Sequence, residues 1–195
     1  MVICFFGDSL VNGVGDPAGL GWAGRLANHV RGLGADLTSY NLGVRRHSSR
    51  AIGARWQAEA ACRGRDGAEP HLFFAFGTVD ACLDEAVNLD QAESLGNAQR
   101  ILETAKAAHR VLMMGPPPMG DPAFNAKVKS LNAALKELCA GIGVSFLDVF
   151  TPLDASPEYK QDLAAGDNVH PGAAGYEAVF ALARDWAPWR SWFAS

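Results

Sequence analysis

The apolar residues of this chain fall into short runs separated by longer stretches of helical spacing. Val2 to Phe6 is unbroken apolar sequence that stops at Gly7, and Leu72 to Phe76 repeats the pattern before Gly77. Val111 to Met114 ends at Gly115 and three prolines, Val144 to Leu147 ends at Asp148, and Leu37 to Leu42 is a weaker run. Short runs without polar alternation, bounded by turn residues, predict strands covered on both faces. Between them, Leu20 to Leu33 places Trp22, Leu26 and Val30 on one helical face. Ser48 to Cys62, Gln91 to His109, Pro122 to Ala140 and Ala173 to Trp186 also carry helical patterns. Ser48 and Ser49 are candidate N-caps, Gly141 and Gly143 follow one helix, and Pro188 punctuates the last.

Alternating strands and helices predict βαβ units. The expected architecture is a three-layer α/β/α sandwich around a five-stranded parallel sheet. The 195 residues suit one domain, taken as 1–195. In such sheets ligands sit beyond the carboxyl ends of the strands, so the loops there are where chemistry is expected.

The first such loop reads Gly7-Asp8-Ser9-Leu10. A serine hydroxyl is a poor nucleophile until a base takes its proton. Taken alone, Ser9 is as well explained as a turn or helix cap. The last loop reads Asp167-Asn168-Val169-His170-Pro171. An acid three residues before a histidine can bond one ring nitrogen and leave the other facing the serine, which holds the productive tautomer. The plain alternative is an exposed loop histidine beside an incidental acid. The two loops lie at opposite ends of the chain, at positions a parallel sheet can bring together.

With these blocks in view, the sequence resembles the SGNH/GDSL hydrolase family over nearly its whole length. Within that family it is most similar to small bacterial lipase/acylhydrolase-like esterases. Gly7-Asp8-Ser9-Leu10 matches the nucleophile block and Asn41-Leu42-Gly43 the second block. Gly77-Thr78-Val79-Asp80 occupies the third, and Asp167 to His170 matches the Asp-x-x-His block. The resemblance implies a flavodoxin-like sheet, a triad of Ser9, His170 and Asp167, and cleavage of a carboxylic ester through an acyl-enzyme on Ser9. It implies backbone donors to the oxyanion from Ser9 and Gly43, and neither a metal nor an organic cofactor. The family's third block is Gly-x-Asn-Asp, whose Asn side chain also donates. Here Val79 stands in its place beside Asp80, and valine has no donor. Losing one such donor costs roughly 2.7–4 kcal/mol, or about a hundred- to thousandfold in turnover. Thr78 is a weak substitute, because its side chain is expected on the other face. A catalytically weak or inactive SGNH-fold binding protein is therefore the alternative reading.

Composition narrows the partners. Hydrophobic residues make up 49% and charged residues 19%, with a net charge of -4. No long Lys/Arg run supplies the footprint of a nucleic-acid binder. No apolar stretch is long enough to span a bilayer. The expected partner is a small-molecule ester, with no stable membrane association. The first residues show no signal-peptide pattern, which makes the cytoplasm the expected location. Cys4, Cys62, Cys82 and Cys139 form no CxxC pair and read as reduced thiols, Cys4 buried. Arg45, Arg46 and His47 follow Gly43 and are candidates for the pocket mouth, where the arginines would attract an anionic group; a solvated basic loop explains them equally well. Gly13-Val14-Gly15 lacks the lysine and spacing of a phosphate loop. Trp186, Trp189, Trp192 and Phe193 are expected to cover the outer helices, with a dimer contact or lipid-facing patch as a further option.

Overall fold

The computed structural model describes residues 1–82 and 89–194. Its strands are β1 (Val2–Gly7), β2 (Thr38–Gly43), β3 (His71–Ala75), β4 (Val111–Met114) and β5 (Ser145–Leu147). They pair in the order β2-β1-β3-β4-β5, all parallel. The order reverses between β1 and β3, the switch point at which flavodoxin-like sheets open a crevice at their carboxyl edge.

The longer helices are α2 (Gly21–Gly32), α3 (Ser49–Ala61), α4 (Gln91–Lys106), α5 (Pro122–Ile142) and α8 (Ala173–Asp185). Each coincides with a stretch of helical periodicity, within a few residues at the ends. Ser48 caps α3 and Asp121 caps α5, whose first residue is Pro122. Shorter helices complete the described chain: α1 (Ser9–Asn12), α6 (Phe150–Asp154), α7 (Pro157–Ala164) and α9 (Ala187–Arg190). These were not anticipated from the sequence. Segments of four or five residues are too short to display a 3.6-residue period, and α7 is largely polar.

The unbroken apolar strands divide their side chains between two cores. On one face Ile3, Phe5, Phe73, Ala75, Leu112 and Met114 meet α2, α7, α8 and α9. On the other, Cys4, Phe6, Leu72, Phe74 and Met113 meet α3, α4 and α5. Period-2 alternation is thus present but invisible in the sequence, because both faces are apolar. The C-terminal tryptophans do not cover outer helices as expected. Trp189 lies 5.8 Å from Phe73 and 6.1 Å from Phe5, ring centre to ring centre, so it seals the sheet face itself. Among the described residues, no helix is long and apolar enough to cross a membrane.

Candidate active site

Ser9 is the first residue of α1, directly after β1. Asp8 caps that helix, its Oδ1 accepting the Leu10 N–H at 2.8 Å. The tight turn leaves Ser9 almost buried, at 8% exposure, at the carboxyl edge of the sheet. His170 comes from the loop between α7 and α8. Its Nε2 lies 2.8 Å from Ser9 Oγ and its Nδ1 lies 2.7 Å from Asp167 Oδ2.

The loop geometry explains how a three-residue spacing achieves this. Asn168 adopts a left-handed conformation, φ 65°. The chain therefore curls back so that the Val169 and His170 N–H groups both donate to Asp167 Oδ1, at 3.0 and 2.7 Å. Partial burial pushes the Asp167 carboxyl up. The bonds from the His170 ring and from these two N–H groups outweigh it and hold the pKa at about 2. Two further contacts fix the loop. Gly120 N–H donates to Asn168 O at 2.8 Å, and Asp162 Oδ2 accepts the Gly172 and Gly175 N–H groups that open α8. The histidine is not the exposed loop residue of the plain alternative: its side chain is only 11% exposed.

Gly43 ends β2 against α1. A Cβ here would lie 2.3 Å from Asn12 N and 2.7 Å from Asp8 O, so only glycine allows the strand end to approach the nucleophile turn. Its N–H donates to Asn41 Oδ1 at 3.0 Å, while its carbonyl accepts from Asn12 Nδ2 at 3.2 Å. Asn41 Nδ2 in turn donates to Val11 O at 2.7 Å. The second block is thereby knitted to α1.

A cavity of about 200 Å³ opens over Ser9 and His170, lined also by Arg46, Thr78, Val79, Cys82, Phe124 and Val169. Val79 therefore stands beside the serine and brings no side-chain donor. Thr78, expected on the other face, lines this cavity as well as a small buried one beside Asp8. Asp80 points elsewhere: its Oδ1 accepts the Ser49 N–H at 2.7 Å and ties the β3 loop to the start of α3. Burial pushes the Asp80 carboxyl up and drives that of Asp8 up to about 7. Of the two arginines, Arg46 reaches the cavity and Arg45 is not among its lining residues. Arg46 has a left-handed backbone, φ 64°. Sequence reasoning missed Cys82 and Phe124, which carry no local signal. It also missed Gly15, whose φ of 91° lets the 13–20 loop pass against the His170 side chain.

A family model described as GDSL-like Lipase/Acylhydrolase matches residues 5–178. The chain belongs to the GDSL-like lipase/acylhydrolase family. This acylhydrolase family member is similar in structure to the lipase/acylhydrolase from Enterococcus faecalis. They share 20% identity over 93% of this chain and 92% of that one, with a TM-score of 0.77. A member of the lipolytic G-D-S-L family from Veillonella parvula has 23% identity, coverage of 93% and 94%, and a TM-score of 0.77. An acetylxylan esterase from Geobacillus stearothermophilus has 14% identity, coverage of 93% and 91%, and a TM-score of 0.75. At these identities the likenesses establish the shared α/β fold. A search of curated proteins found no match to the sequence.

Proposed function

We propose that the chain is a one-domain serine esterase that cleaves a small carboxylic ester through an acyl-enzyme on Ser9. The observation that carries this reading is the continuous relay from Asp167 Oδ2 to His170 Nδ1 at 2.7 Å and from His170 Nε2 to Ser9 Oγ at 2.8 Å. Ser9 Oγ attacks the carbonyl carbon as His170 Nε2 takes its proton. The carbon–alkoxy bond then breaks, and His170 returns the proton to the departing alcohol. Water, deprotonated by the same nitrogen, then attacks the acyl carbon; the bond from that carbon to Ser9 Oγ breaks, His170 returns the proton to Ser9 Oγ, and the acid leaves. Asp167 orients the ring and stabilises the imidazolium. Catalytic mutants of the similar acetylxylan esterase replace one serine and one histidine by alanine, which fits this division of roles.

The developing oxyanion would be met by the Ser9 and Gly43 N–H groups, the latter in a three-centre bond shared with Asn41 Oδ1. Val79, Cys82, Phe124 and Val169 give the cavity an apolar wall suited to a short acyl or alkyl group. Arg46 at its mouth favours an anionic substituent. The absence of a donor on Val79 favours a second reading, a binding protein with weak catalysis. Reaction with a fluorophosphonate separates the two. Labelling that is lost in Ser9→Ala supports the esterase, and folded protein that does not label overturns it.

A further inference from the structure

Arg55 projects from the middle of α3 into the space beneath the nucleophile turn, with a side chain only 15% exposed. Its Nη2 donates to two carbonyls, Leu42 O at 2.8 Å and Gly7 O at 3.1 Å. Its Nη1 donates to Glu59 Oε1 at 2.8 Å and its Nε to His47 Nδ1 at 3.1 Å, and the guanidinium lies 5.8 Å from the centre of the Phe6 ring. Burial, followed by the adjacent guanidinium charge, pushes the His47 pKa below its ordinary value, which keeps Nδ1 free to accept. Each of the three guanidinium nitrogens is thus committed.

The two carbonyls are not arbitrary ones. Gly7 and Gly43 are register partners at the ends of β1 and β2. The Gly7 carbonyl belongs to the peptide that leads into Asp8 and Ser9. The Leu42 carbonyl belongs to the peptide whose other end is the Gly43 N–H. A charged donor on a carbonyl makes a strong bond and polarises the whole peptide, which strengthens its N–H as a donor. We propose that Arg55 is a positioning residue for acyl transfer: its grip on Leu42 O and Gly7 O fixes the plane of the Leu42–Gly43 peptide and polarises the Gly43 N–H toward the oxyanion that forms above Ser9. This rests on the Ser9–His170 reading of the site. The planar fork is required because one group must reach two carbonyls, an imidazole and a carboxylate at once, which a lysine ammonium on a flexible stem does not do.

A clasp that merely holds α3 against the sheet predicts lower stability and unchanged turnover in whatever protein remains folded. A positioning role predicts a fall in kcat with KM nearly constant, because the polarised N–H matters only once charge has moved to the oxygen. Wild type, Arg55→Lys and Arg55→Ala should be compared on p-nitrophenyl acetate, with folding checked by thermal melts and Ser9 reactivity by fluorophosphonate labelling. Folded Arg55→Lys should lose about tenfold in kcat, less than the loss of a whole oxyanion donor. Its KM should stay within about twofold of wild type. Methylguanidinium should restore part of the kcat of Arg55→Ala and none in Arg55→Lys. Folded variants that turn over and label like wild type overturn this role and leave the Ser9 reading intact. So does a KM effect alone, or an Arg55→Lys protein that cannot fold. Wild-type protein that neither labels nor hydrolyses overturns the Ser9 reading, and this role with it.

Discussion

His170 Nε2 stands 2.8 Å from Ser9 Oγ although 161 positions of chain separate the two residues. The sheet makes the meeting possible by ending β1 and β3 at the same edge, and the loop before α8 folds back over that edge. Replacing His170 by Ala should lower kcat by at least about 10⁴-fold. Asp167→Ala should cost less, since the carboxylate orients the ring and does not take the proton. Steady-state rates on folded protein test the order. The assignment fails if His170→Ala retains wild-type turnover.

Val79 lines the Ser9 cavity and carries no side-chain donor. Val79→Asn is expected to raise kcat on an activated ester by about tenfold or more, up to the roughly hundred- to thousandfold value of one such donor, with KM little changed. A folded Val79→Asn protein that is no faster would mean that Thr78 or another group already supplies that bond.

Arg46 reaches the cavity and Arg45 does not line it. Arg46→Gly should raise KM for anionic esters and spare neutral ones, and the glycine suits the φ of 64° at this position. Arg45→Ala should do neither. Added salt should weaken the anionic preference, because the contact is exposed. Identical KM changes for both ester classes would return Arg46 to the status of a solvated loop residue.

Asp8 is wholly enclosed, and burial raises its pKa from 3.8 to about 7. A raised pKa means that the folded state holds the proton more tightly than the unfolded chain. The associated stability is fully present below about pH 4 and is lost as the pH rises through 7. Asp167 has the opposite sign: its depressed pKa contributes stability above about pH 4 that is lost as the pH falls through 2. Thermal melts between pH 5 and 8 should therefore fall more steeply for wild type than for Asp8→Asn, about as that one group titrates. Parallel melting profiles for the two proteins would count against a neutral Asp8 in the fold.

Gly43→Ala places a methyl group 2.3 Å from Asn12 N, a backbone atom that cannot rotate away. The expected cost exceeds the ~1–3 kcal/mol of ordinary overpacking. Reduced expression or a lowered melting temperature should accompany lost activity. Wild-type stability in Gly43→Ala would show that β2 can withdraw from α1 freely.

The sequence by itself determined what depends on local chemistry. Short apolar runs ending at glycine or, for the last strand, at Asp148 marked the strands, because burial of both sheet faces leaves an unbroken apolar run, and 3.6-residue periodicity marked the five longer helices, because burial of one face leaves that period in the sequence. The Asp167–His170 pairing was also legible, since two side chains three positions apart in one turn can meet. What only the tertiary structure decided depends on which distant backbones meet. The strand order brings Gly43 against Asn12, and the packing of α3 on the sheet sets Arg55 beneath the peptide that carries the Gly43 N–H. Phe124 and Cys82 join the cavity for the same reason, and so does Arg46 where Arg45 does not. None of these contacts leaves a periodic mark, because each is made by a single side chain or a single close approach across segments far apart in the chain.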